Sequence, residues 1–232
     1  MGIIFECQNL TKKYGHLIAL NSINLKLETG KVVGLLGPNG SGKTTLLKLG
    51  AGLLVPNEGE VLIDGLNPSV KTKEMTAFLP ERNSLDVNMT VDYLLKFFAD
   101  FYFDFNIEKA RRLLSDLGVN SKNKLSQLSK GNREKVQIIL TMSRDAKLYL
   151  LDEPIGGVDP ASRDYILKTI ISSYNKEACV LISTHLIADV EDILDDFIFI
   201  REGEIIKSGN VKAIKARKKK SLDKIFREAF IC

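Results

Sequence analysis

The sequence is poor in the features that would place it outside ordinary soluble chemistry. Of its 232 residues only three are cysteines, Cys7, Cys179 and Cys232, and they lie far apart. An odd, scattered set excludes a disulfide framework and the usual structural zinc clusters, and a reducing cytoplasm suits it best. No charge-free run approaches the roughly 18 residues that a membrane-crossing helix needs. The start, MGIIFECQNLTKKYG, lacks the basic-then-apolar pattern of a signal peptide. It also lacks the Ser or Thr of a myristoylation site, having Glu6 there. Internal repeats and long flexible linkers are missing too.

What is present is a balanced chain, 44% hydrophobic and 27% charged, of a length that suits one large domain or two small ones. The net charge is +4, but residues 212–220 (KAIKARKKK) hold six positive charges and no negative one, which leaves −2 for the remainder. The body is therefore no basic nucleic-acid platform. The basic segment reads as a tail over residues 212–232, either facing anionic lipid or simply solvated. A short amphipathic helix is expected over 222–231.

Strand-like runs fall at 3–7, 21–27, 31–36, 60–63 and 76–79. The middle is helical in spacing, at 90–103 (TVDYLLKFFADFYF), 107–117 behind Asn106 as N-cap, and 130–143. Most of the aromatics in the first of these are expected in the core. The α/β pattern then resumes with a strand at 148–151 and a helix opened by Asp159-Pro160. A strand at 179–183, a helix at 186–193 and a hairpin of 197–200 with 205–208 around Glu202-Gly203 complete it. The alternation, with both ends of the chain sharing a sheet, suggests one α/β domain over 1–211 carrying a helical subdomain at about 84–143.

Between the buried run ending at Leu36 and a helical segment, residues 37–44 spell GPNGSGKT. This matches G-x-x-x-x-G-K-[ST], for which a chance occurrence in such a chain is on the order of 1%. Glycines let the backbone curl so that N–H groups converge on phosphate oxygens. The helix start adds its positive end, Lys43 reaches the β- and γ-phosphates, and Thr44 offers a hydroxyl to Mg²⁺. Residues 148–153 spell LYLLDE, an apolar strand ending in two carboxylates. The carboxyl end of such a strand is where an open α/β sheet presents ligands. There Asp152 would orient Mg²⁺ and Glu153 would polarise a water as general base.

GPNGSGKTT, LSKGN at 128–132, LYLLDEP at 148–154, VDP at 158–160 and STH at 183–185 occur in one order. Together they resemble the nucleotide-binding subunit of an ABC transporter, over about residues 5–209. The resemblance implies a phosphate-loop NTPase core with a mixed sheet, an N-terminal antiparallel β subdomain and a helical signature subdomain. It also implies ATP and Mg²⁺ as cofactors. ATP would be held by Gly37, Pro38, Asn39, Gly40, Ser41, Gly42, Lys43, Thr44 and Thr45, with Tyr14 stacking on adenine. Ser129, Lys130 and Gly131 would contact the γ-phosphate held by a second subunit, Asp159 would cross the dimer seam, and His185 would stand near the γ-phosphate and the attacking water. Two departures stand out. FLPERN puts Glu81 where the family usually has Gln, adding a negative charge that could ligate Mg²⁺ and slow turnover. LSKGN has Lys130 for Gly and Asn132 for Gln, with Lys130 adding positive charge beside the phosphate.

The implied protein is an ATPase at the inner face of the membrane, partnered by an integral membrane permease and a second ATPase subunit, with no nucleic acid. Export is favoured over import by FLPE, MTV and the aromatic helix, which resemble small bacterial exporters. The permease would dock near residues 81–86 and 93–105. The alternatives are a soluble ABC ATPase acting on ribosomes or DNA, and a weakly hydrolysing regulatory cassette.

Overall fold

A computed structural model describes residues 2–82 and 84–230; Met1, Asn83, Ile231 and Cys232 lie outside it, and with them the last position of the helix expected over 222–231. The chain runs β1 (Ile3–Tyr14), β2 (Leu17–Glu28), β3 (Val32–Leu36), α1 (Lys43–Gly50), β4 (Glu58–Ile63), α2 (Val70–Glu74) and β5 (Thr76–Leu79). Then come α3 (Val91–Phe101), α4 (Ile107–Asp116), α5 (Lys130–Met142), β6 (Leu148–Asp152), α6 (Pro160–Ser173) and β7 (Cys179–Thr184). The last elements are α7 (Ile187–Val190), β8 (Asp196–Arg201), β9 (Glu204–Asn210), α8 (Val211–Lys218) and α9 (Leu222–Phe230). No described helix is long and apolar enough to cross a membrane.

The strands form two sheets. One is antiparallel, in the order β2-β1-β4; the other has six strands, β5-β6-β7-β3-β8-β9, parallel except for the final antiparallel pair. This corrects the expectation that both chain ends share a sheet: β1 pairs with β2 and β4, and it is β3 that joins the late strands. β3, β6 and β7 are buried along their whole length. A strand covered on both faces must be apolar throughout rather than alternating, as VVGLL and LYLL are.

The helical subdomain has its own core, with Val91, Leu94, Leu95, Ala110, Leu114, Val136 and Ile139 among its buried members. Thr90, Asn106 and Ser129 cap α3, α4 and α5, each side chain accepting a backbone N–H three residues on. Two cations, Arg144 buried and Lys109 half-buried, tie this unit to its surroundings. Arg144 pairs with Asp104 at 3.0 Å, stacks on Tyr102 at 3.9 Å, and donates to the carbonyls of Thr76 (2.7 Å) and Glu74 at the start of β5. Lys109 donates to the carbonyls of Met142 (2.6 Å) and Ser173, at the ends of α5 and α6, and burial pulls its pKa down. The aromatic run is less buried than its composition suggests. Tyr93, Phe97, Phe101 and Phe103 are exposed, and the first three stack in sequence along one face of α3.

The basic segment after residue 211 is not a free tail. Leu222 and Ile225 of α9 are buried in the main core, and Phe226 and Phe230 pack on Phe199 of β8. Burying such side chains is worth about 1.5–3 kcal/mol each, while Lys212 and Lys218 of α8 stay on the outer face. The helix expected over 186–193 is the single turn α7, followed by non-helical residues.

Candidate nucleotide site

β3 delivers the chain to the phosphate loop, and α1 begins directly after it. Gly42 stands at the helix N-cap with φ 104°, in the left-handed region. A Cβ there would meet the Ala19 carbonyl of β2 at 2.5 Å, so both conformation and space demand glycine. At Gly37 a Cβ would lie 2.3 Å from the Ile200 carbonyl. The β8–β9 turn braces the loop from outside, its Gly203 N–H donating to the Ser41 carbonyl at 3.1 Å.

A cavity of about 560 Å³ opens over this loop. Nine of the expected residues line it: Tyr14, Asn39, Gly40, Gly42, Lys43, Thr44, Thr45, Glu81 and Glu153. Leu17, Ile18, Ala19 and Glu202 line it as well and were not expected. Exposed Leu17 and Ile18 lie beside Tyr14, whose ring carries Lys12 Nζ 5.5 Å from its centroid. Their signal in the sequence was an apolar pair adjoining the TKKYG turn, at a place where the strand was read as starting later.

Behind the cavity lies a hydrogen-bonded set drawn from four elements. Lys43 Nζ donates to the carbonyls of Gly37 (2.8 Å) and Pro38 (3.0 Å) and stands 3.4 Å from Glu153 Oε1. Thr44 Oγ1 and Ser183 Oγ both donate to Asp152 Oδ1, at 3.1 and 2.6 Å. Glu153 adopts φ 47°, unusual for a residue with a side chain, and its N–H is held by the Ser183 carbonyl and hydroxyl. His185 Nδ1 lies 3.1 Å from Glu153 Oε2. Ser183 thus anchors the Asp152 carboxylate and the Glu153 backbone; STH is legible as a motif, but this bracing role is not.

Asp152 is 1% exposed, and burial pushes its carboxyl up, with the charges of Glu81 and Glu153 pushing the same way. Its Oδ2 is buried without a hydrogen-bond partner. Such an acceptor beside a Thr hydroxyl suits a hard divalent cation, which takes one or two protein oxygens and fills its other positions with phosphate and water. Among the described residues no group of three His, Cys, Asp or Glu could hold a metal unaided.

Ser129, Lys130, Gly131 and Asp159 lie apart from this cavity, where α5 meets α6. Ser129 caps α5 and Asp159 caps α6. A Cβ on Gly131 would lie 3.4 Å from Ser162 Oγ and 3.7 Å from Asp159 Oδ2. Lys130 Nζ donates to the Gly157 carbonyl at 3.4 Å. Hydrogen bonds from Ser162 hold the Asp159 carboxyl below the usual range. Nearby, Glu134 of α5 has its Oε2 buried without a partner, and burial raises its pKa.

The strand–loop–helix with its lysine, backed by a carboxylate strand in a parallel sheet, defines a phosphate-loop nucleotide-binding protein. The ABC transporter pattern matches residues 20–156, and the chain belongs to that family. It is 31% identical over 222 residues to the probable multidrug ABC transporter ATP-binding protein YbhF of Escherichia coli K12, covering 92% of this chain and 38% of that one. The chain therefore spans little more than a third of that relative's length. It is also 31% identical to the lantibiotic transport ATP-binding protein SrtF of Streptococcus pyogenes, covering 88% of this chain and 89% of that one. A solved structure of the ATP-binding subunit of an ABC transporter matches with a TM-score of 0.87 at 27% identity, covering 98% of this chain and all of that one.

Proposed function

We propose that the chain binds and hydrolyses ATP with Mg²⁺ and that this drives export through a membrane-spanning partner. The observation that carries the reading is the contiguous set Lys43, Thr44, Asp152, Glu153 and His185 beneath the phosphate-loop cavity. Loop N–H groups and Lys43 hold the phosphates, and Tyr14 with Leu17 and Ile18 offers a flat apolar wall to the base. Thr44 and Asp152 would hold Mg²⁺, which supplies neutralisation of phosphate charge. Glu153 takes the proton of the attacking water, and His185 fixes the carboxylate that does so. Glu81, on the cavity wall, adds negative charge there and tempers turnover.

A second ATPase subunit completes the site. Ser129, Lys130, Gly131 and Asp159 lie apart from the chain's own cavity, which accords with their serving a facing copy or homologue. ATP then favours the closed pair because only that state offers both surfaces. The groove for the membrane partner is a cavity of about 380 Å³ whose walls include Pro80, Ser84, Leu85, Phe98 and Tyr102, beside the exposed aromatic face of α3. The two relatives named for multidrug and lantibiotic transport support export, and a position at the inner face of the membrane follows from such a partner.

The test is a tagged pull-down of Glu153→Gln from detergent-solubilised cells with ATP and Mg²⁺. A multi-span membrane protein is expected in the eluate, with any second ATPase beside it. Ribosomes or nucleic acid without a membrane protein would overturn the transport reading.

A further inference from the structure

We propose that Glu191 is a positioning residue for His185, through which the two C-terminal helices act on turnover. This rests on the role given above to His185. His185 occupies the bend between β7 and α7, with Leu186 alone separating it from the helix. Its backbone is thus set by the strand before it and by α7 after it. β7 is a fully buried, doubly paired strand. α7 is four residues long, too short to persist on its own hydrogen bonds. It depends on what surrounds it.

Ile187 and Val190 bury the inner face of α7 in the main core. Asp189 pairs with Arg163 of α6 at 2.8 Å. Glu191, which closes the turn, holds the C-terminal helices. Its Oε1 accepts from Lys215 Nζ of α8 at 3.1 Å. Its Oε2 accepts from the N–H groups of Leu222 (2.6 Å) and Asp223 (3.2 Å), the first two residues of α9. Those N–H groups have no partner within their own helix, and a helix start favours a negative charge. One carboxylate, 14% exposed, therefore ties α7 to both α8 and α9. When that tie is cut, α7 loses its outer support and the His185 ring loses its fixed approach to Glu153. The phosphate loop keeps its geometry, because neither Glu191 nor its three donors line the nucleotide cavity.

The experiment measures ATP turnover by the full chain for wild type, Glu191→Gln, His185→Ala and the double variant, with single-turnover assays to resolve slow forms. Glu191→Gln is expected to lower kcat on the order of tenfold, the scale on which loosened positioning of a catalytic group acts, with KM for ATP unchanged. In the His185→Ala background the same substitution should change kcat by less than about twofold, since sites that act as one unit are not additive. Lys215→Met, which removes a single donor, should give a smaller loss of the same kind. Melting curves for each variant confirm that the fold is kept. An unchanged kcat in Glu191→Gln, an equal loss with and without His185, or a rise in KM would each overturn the inference. A full rate in His185→Ala would overturn it together with the role of His185, whereas a slow His185→Ala beside a normal Glu191→Gln would overturn it alone.

Discussion

Lys43 Nζ stands 3.4 Å from Glu153 Oε1, both side chains less than a tenth exposed, although the two residues come from different motifs. In the proposed function, the ammonium that would meet the phosphates also holds the carboxylate that would meet the water. On that reading, a γ-phosphate drawing on Lys43 would release Glu153 toward the water, linking binding and activation through one cation. Glu153→Gln should lower the rate of phosphate release about 10²–10⁴-fold, the usual worth of a general base. ATP affinity, read by equilibrium binding, should stay near wild type, whereas Lys43→Ala should lose binding itself.

Asp152 is costly to the folded protein. A carboxyl whose pKa is raised by burial binds its proton more tightly folded than unfolded. Stability therefore falls as pH rises from the unfolded carboxylate range through the raised folded value. Asp152→Asn should raise the melting temperature of the nucleotide-free protein at neutral pH, read by thermal denaturation. Phosphate release should fall below detection in the same variant, and the rise in melting temperature should shrink in acid.

Arg144 carries the opposite sign. It is buried, paired with Asp104, and bonded to the backbone leading into β5. Arg144→Ala leaves a buried carboxylate uncompensated and should cost about 3–5 kcal/mol, measured by urea denaturation. Arg144→Ala with Asp104→Ala should recover part of that loss.

If the aromatic face of α3 receives the proposed membrane partner, a change there would separate docking from catalysis. Phe101 is 71% exposed, and a surface change there should move stability by no more than about 0.5 kcal/mol. Phe101→Glu should therefore leave the ATPase rate of the isolated chain intact and abolish co-purification with the membrane partner. Equal loss of both would assign the residue to the fold.

Glu81 tests the departure at the cavity wall. Glu81→Gln removes a charge that acts on Asp152, and should raise turnover severalfold and lower the Mg²⁺ concentration for half-maximal rate. An unchanged rate and an unchanged Mg²⁺ dependence would remove Glu81 from the site's chemistry.

The elements that carry the site were readable because they are uniform. β3 and β6 are unbroken apolar runs, and the phosphate loop has a spacing that few other chain segments share. β1 and β2 were read too short because their periodicity slips. Asn9 and Ser22 take positive φ, and the register between the strands shifts at Cys7–Leu10 and again further on. Each slip turns the side chains to the other face. The basic run at 212–220 hid a docked segment, since α8 offers only Val211 and Ile214 to the core among many charges and the stronger anchors, Leu222, Ile225, Phe226 and Phe230, come after the run. The pairings of Lys43 with Glu153, Ser183 with Asp152 and Glu191 with α9 join residues far apart in the chain, and no local pattern announces them.

On the ribosome β3 emerges long before its neighbours. It lies between β7 and β8, so it has no partner strand until residues 179–184 have been made, and its second edge stays open until residues 196–201 follow. At about 5–20 residues per second, that leaves an apolar strand unpaired for roughly ten to thirty seconds. Nascent chains that stall before β8 would display this strand to any passing edge. ATP cannot serve as an early folding template for such a chain, because the surface that receives it is among the last to be completed.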